Sequence, residues 1–74
     1  MSSTRMTLTF AVAGMHCTSC GLLIDDEVEE LPGVTTSTTD VQTERTVVEC
    51  AAPVDAERII AAIAGAGYRG RHLG

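Results

Sequence analysis

Aromatic side chains are almost missing from this chain: Phe10, Tyr68 and no tryptophan among 74 residues. Val, Ile, Leu and Ala must therefore fill any core. Lysine is absent too. All five basic residues are arginines, against ten Asp and Glu, for a net charge of −5. Such a balance argues against the basic face of a nucleic-acid-binding domain. No apolar run approaches the roughly 20 residues needed to span a bilayer. Three cysteines cannot all pair within one chain, so a disulfide framework is not expected. The length suits one small domain over residues 1–74. A chain this short buries roughly 60–65% of its unfolded surface and has little stability to spare.

Arg5, the apolar stretch 6–12 and Ala11-Val12-Ala13 loosely mimic a signal peptide. The stretch is short, Thr7 and Thr9 interrupt it, and cleavage would remove what reads as the first strand. The expected location is cytoplasmic, where thiols stay reduced.

What the chain does have is Gly14-Met15-His16-Cys17-Thr18-Ser19-Cys20, which holds two of the three cysteines and one of the two histidines. An alternating segment precedes it and a pattern of helical period follows. The first thiol falls on a loop. The second falls at a helix start, where unpaired N–H groups and the helix dipole favour thiolate over thiol. Thiolate is both a metal ligand and a nucleophile, so the pattern points to soft-metal binding or to thiol redox chemistry.

Residues 6–13 alternate, with Met6, Leu8, Phe10 and Val12 on one face, which predicts a half-buried strand. From Thr18, a candidate cap, Cys20, Ile24, Val28 and Leu31 form one helical stripe. Asp25, Asp26, Glu27, Glu29 and Glu30 crowd what reads as the outer face, either simply solvated or a docking surface for a basic partner. Pro32-Gly33 stops the helix. Residues 34–40 and 45–50 read as strands joined by a polar turn, with Val48 and Cys50 on one face of the second. Asp55 is a good N-cap for a second helix whose stripe is Ala56, Ile59, Ile60 and Ile63, and residues 68–73 read as a last strand. The order βαββαβ predicts an α+β, ferredoxin-like sandwich: a four-stranded antiparallel sheet with two helices on one face. The cysteine loop and the loop before Tyr68 should meet at one end.

With these residues in place, the chain resembles the heavy-metal-associated domain family, which includes small copper chaperones and the N-terminal metal-binding domains of copper-transporting P-type ATPases. The resemblance rests on the motif Gly-Met-x-Cys-x-x-Cys, met by Gly14, Met15, Cys17 and Cys20, and on Leu31-Pro32-Gly33-Val34, Ala62-Ile63 and Ala66-Gly67-Tyr68. It covers about residues 7–72. It implies the ferredoxin-like fold, Cys17 and Cys20 as metal ligands, Met15 tucked inward to support the loop, and Tyr68 near the metal end. It implies no catalytic residues, so no enzyme activity is expected. Two features depart from the expected helix start. Gly21 weakens a helix by about 1 kcal/mol relative to Ala, which suggests a loose first turn. Leu22 and Leu23 are unusually apolar there and join Asp25, Asp26 and Glu29 as candidate docking residues.

Two soft thiolates without an obvious third ligand suit Cu(I). A closed zinc site normally takes four ligands, for which His16, His72 or Cys50 would have to be recruited. Zn(II) or another soft metal such as cadmium or mercury remains the alternative cargo. Low coordination leaves a side open for a partner's cysteine, or for a facing copy in a metal-linked homodimer. His16 reads as an exposed modulator more than a ligand, His72 as a surface residue and Cys50 as a small buried hydrophobe. Tyr68 fits both a core aromatic and a screen over the cysteine loop. The leading expectation is a Cu(I) chaperone that passes its ion to a P-type copper ATPase or similar acceptor, favoured by a chain running from Met1 to Gly74. The alternatives are an N-terminal domain of such an ATPase and, in another class, a thiol-disulfide redox protein. Against redox chemistry stand the short length and the lack of a tryptophan beside the pair.

Overall fold

The computed structural model describes residues 5–15 and 18–74. The elements run β1 (Met6–Ala13), α1 (Thr18–Glu29), β2 (Val34–Asp40), β3 (Arg45–Cys50), α2 (Ala56–Gly65) and β4 (Arg69–His72). The sheet order is β2-β3-β1-β4, antiparallel throughout. This is the expected ferredoxin-like arrangement. The last strand starts at Arg69 and not at Tyr68, because the Tyr68 N–H turns back to the Ile63 carbonyl at 3.1 Å, and beyond His72 the Leu73 N–H still donates to the Thr9 carbonyl at 2.7 Å.

The period-two pattern of β1 does what it predicts. Leu8, Phe10 and Val12 are buried, while Thr7 and Ala13 are exposed. Val48 and Cys50 of β3 join them from the next strand, and Ile24, Val28, Ile59 and Ile63 close the core from the helices. Each of these isoleucines and valines contributes about 1.5–3 kcal/mol by leaving water. Helix α1 lies on β2, α2 lies on β4, and the two helices touch. Asp55 occupies the N-cap position of α2, but its side chain makes no capping bond. Its carbonyl instead accepts from the N–H groups of Arg58 and Ile59.

The outer face of α1 is less acidic than the sequence pattern suggests. Asp25 is half-buried, and its Oδ1 accepts hydrogen bonds from Ser37 Oγ at 2.8 Å and Thr39 Oγ1 at 2.7 Å. Thr39 spends its one hydroxyl proton on Asp25, so the fully buried Thr46 must donate across 3.0 Å to Thr39. Glu29 Oε2 accepts from the Ser37 backbone N–H at 3.0 Å. Asp25 and Glu29 therefore tie α1 to β2. Asp26, Glu27, Glu29 and Glu30 are exposed.

Candidate metal centre

Three connections meet at one end of the sheet: the loop leaving β1, the β2–β3 turn and the α2–β4 loop. The Val12 N–H donates to the Glu44 carbonyl at 2.9 Å, joining the first two. Gly14 leaves β1 with φ +91°, where an L side chain is strained. Met15, the next residue, is buried in the core with 6% of its surface exposed. The inward methionine expected beneath the loop is therefore present. His16 and Cys17 lie outside the described residues, as does the side chain of Thr18 with its expected capping role.

Cys20 stands in the first turn of α1, at the positive end of the helix dipole. It is half-buried and packs against the core. Its neighbour explains how that turn is held. Gly21 is buried, and a Cβ there would stand 3.2 Å from both Cβ and Cγ2 of Thr39 and 3.5 Å from Cγ2 of Val41. The glycine admits a close approach of helix to sheet at the first turn, a packing contribution that opposes its low helix propensity. Thr39 and Val41 support the site in a way that no local sequence signal gives, since the contact exists only once β2 lies under α1. Leu22 and Leu23 follow at 61% and 54% exposure, an apolar pair in water beside the cysteine turn.

Tyr68 comes to the same end from the α2–β4 loop. Its ring reaches the base of the cysteine loop, with Cδ1 3.9 Å from where a Gly14 Cβ would lie. It is half-buried against the core, so the packing and screening roles expected of it are compatible. Cys50 is elsewhere. It pairs with Met6 and Val34 at the opposite end of β1, with 1% of its surface exposed, and burial pushes its thiol above its ordinary value. His72 pairs with Phe10 and sets its ring 5.2 Å from the phenyl ring. Neither belongs to the cysteine end. Among the described residues no cluster of three or more His, Cys, Asp or Glu is arranged to hold a metal ion.

The profile of the heavy-metal-associated domain matches residues 9–69, the cysteine motif included. The chain belongs to that family. This heavy-metal-associated domain is 34% identical over 59 residues to copper-transporting ATPase 1 of Rhizobium meliloti strain 1021, a match covering 80% of this chain and 7% of the relative. The chain spans less than a tenth of the length of the curated relatives it matches. Among solved structures, the domain is similar to the N-terminal domain of PacS from Synechocystis PCC6803, with 28% identity, TM-score 0.81 and coverage of 93% of this chain and 98% of that one. It is also similar to the yeast copper transporter domain Ccc2a, solved in apo and Cu(I)-loaded states. There the identity is 28%, the TM-score 0.84, and the coverage 92% of this chain and 94% of the other. No helix of the described residues is long and apolar enough to cross a membrane.

Proposed function

We propose that this domain carries Cu(I) as cargo on Cys17 and Cys20 and passes it to a cysteine-bearing acceptor such as a P-type copper ATPase. The observation that carries this reading is the motif Gly14 to Cys20 lying inside the family match. Its Met15 is anchored in the core and its Cys20 stands in the first turn of α1. Two thiolates are soft ligands that select Cu(I). The distant placement of Cys50 and His72 supports low coordination. A partner thiolate adds to the open side of the ion, giving three sulfur ligands. One domain thiolate then leaves, a second acceptor thiolate displaces the other, and the ion moves across with no change of oxidation state. Leu22, Leu23 and the free carboxylates Asp26, Glu27 and Glu30 form the adjacent surface, suited to a partner with a basic rim, and the encounter should weaken with salt. The setting proposed is the reducing cytoplasm.

The relatives' length favours a second reading, in which the same chemistry serves as the N-terminal domain of a larger copper ATPase. Anaerobic titration of the reduced protein with Cu(I) against a competing chelator, beside a Zn(II) titration, tests the shared chemistry. One Cu(I) per chain, lost in Cys17→Ser with Cys20→Ser, is the expected result. Retained Zn(II) with weak Cu(I) would move the domain to zinc traffic. Ready cycling to a disulfide with no metal binding would make redox chemistry the better account.

A further inference from the structure

The face of the sheet turned away from the helices has its own organisation. Ala11 on β1 pairs with Arg45 on β3 and with Arg71 on β4, and Ala13 pairs with Arg69. Paired residues project from the same face of a sheet. Three of the chain's five arginines thus surround two alanine methyls. Small side chains between long ones leave an open recess of about 640 Å³, which Thr43 and Glu44 complete at the β2–β3 turn. All three arginines are exposed, and none forms an ion pair with another described residue. Glu44, together with Asp40, which pairs with Arg45 from β2, sets two carboxylates against three guanidinium groups. Charges on an edge strand guard against unwanted pairing, which would account for Arg69 and Arg71 on β4. It does not account for Arg45, which stands on the interior strand β3.

We propose that this recess is a second docking surface, for an extended protein segment bearing carboxylates at alternate positions. Arg69 and Arg71 are two residues apart on one strand, a repeat of roughly 6.8 Å, and an extended segment presents every second side chain at the same repeat. Guanidinium forks take carboxylates in a paired geometry that an ammonium does not offer. The alanine floor accepts the apolar stems between them. A small free anion would stay largely solvated in so open a recess, whereas a ligand site normally encloses most of its occupant. A polynucleotide is disfavoured by the net charge of −5. The recess ends at Ala13 and Arg69, which adjoin Gly14 and Tyr68 of the metal end. Its occupant would therefore sit beside the cysteine loop without using the α1 surface.

The test uses the full chain, isotope-labelled and reduced, titrated with a synthetic Glu-Thr repeat peptide and, separately, with the matching Gln-Thr peptide. Amide shifts centred on Ala11, Ala13, Arg45, Arg69 and Arg71 are expected with the Glu peptide alone. Affinity should fall about tenfold in Arg45→Gln with Arg69→Gln and Arg71→Gln. The corresponding triple Lys variant should recover only part of the loss. Unchanged Cu(I) affinity and melting temperature would show that these surface variants stay folded. Equal binding of the Gln-Thr peptide, unaltered affinity in the triple Gln variant, or complete displacement by inorganic phosphate at a comparable concentration would each overturn the proposal.

Discussion

Replacing Asp25 by alanine should cost this domain a large part of its stability, although the residue lies on a helix face that looks merely acidic. Its Oδ1 receives two hydroxyl hydrogen bonds, at 2.8 and 2.7 Å, and the second donor is itself held by buried Thr46. Hydrogen bonds to a charged group are each worth about 1.5–3 kcal/mol. Asp25 is half-buried, so the lower half of that range applies, and the loss of two bonds comes to about 3–4.5 kcal/mol. A domain of this length has about 4–11 kcal/mol in total, and 1 kcal/mol moves its melting point by about 4–8 °C. Asp25→Ala should therefore lower the melting temperature by roughly 12–36 °C. Asp25→Asn keeps an acceptor oxygen without the charge and should lose about half as much. Asp26→Ala, one position along and exposed, should stay within about 0.5 kcal/mol of the parent. Thermal and urea unfolding of the reduced apo protein, followed by circular dichroism, would measure all three. Equal melting temperatures for Asp25→Ala and Asp26→Ala would refute the reasoning.

Gly21→Ala should destabilise by about 1 kcal/mol, against the usual helix preference, because the new methyl meets Thr39 at 3.2 Å. Urea midpoints for Gly21→Ala alone and combined with Thr39→Ser would separate clash from propensity, and a stabilised single variant would contradict the close approach. Cys50 has its thiol pushed up by burial, so the folded state holds the proton that the unfolded chain gives up. That contribution is complete at neutral pH and is lost as pH rises beyond the thiol's ordinary value of 9.0. Denaturant titrations at neutral and alkaline pH should show a drop that Cys50→Val lacks, and an identical drop in both proteins would count against it.

Much of this fold could be read from side-chain period. Alternation over Met6 to Val12 marked a strand and its inner face, and the switch to a stripe at Cys20, Ile24 and Val28 marked the first helix. The motif around Gly14 to Cys20 identified the family because it is a local pattern, as did the expectation of a buried Met15. What escaped was set by residues brought together across the sheet. Asp25 looks like its neighbours Asp26 and Glu27 until Ser37 and Thr39 arrive beneath it. Gly21 looks like a weak point in a helix until Thr39 and Val41 occupy the space a methyl would need. Arg45 and Arg71 are separated by most of the second half of the chain, and only the pairing of β3 and β4 on either side of β1 makes them neighbours. The Asp55 cap failed differently: the position was right, but the backbone carbonyl does the work alone.

The remoteness of Cys50 bears on what kind of handler of metal this chain can be. Its sulfur is sealed into the core a full strand length from the turn that bears Cys20. On the proposed chemistry, a third sulfur reachable from within would satisfy the ion, and the domain would become a store. With that sulfur locked away, the third place at the metal goes to whichever thiol arrives from outside. Delivery is then timed by encounter and not by unfolding. On that proposal, the same core packing that stabilises the fold would keep the cargo exchangeable.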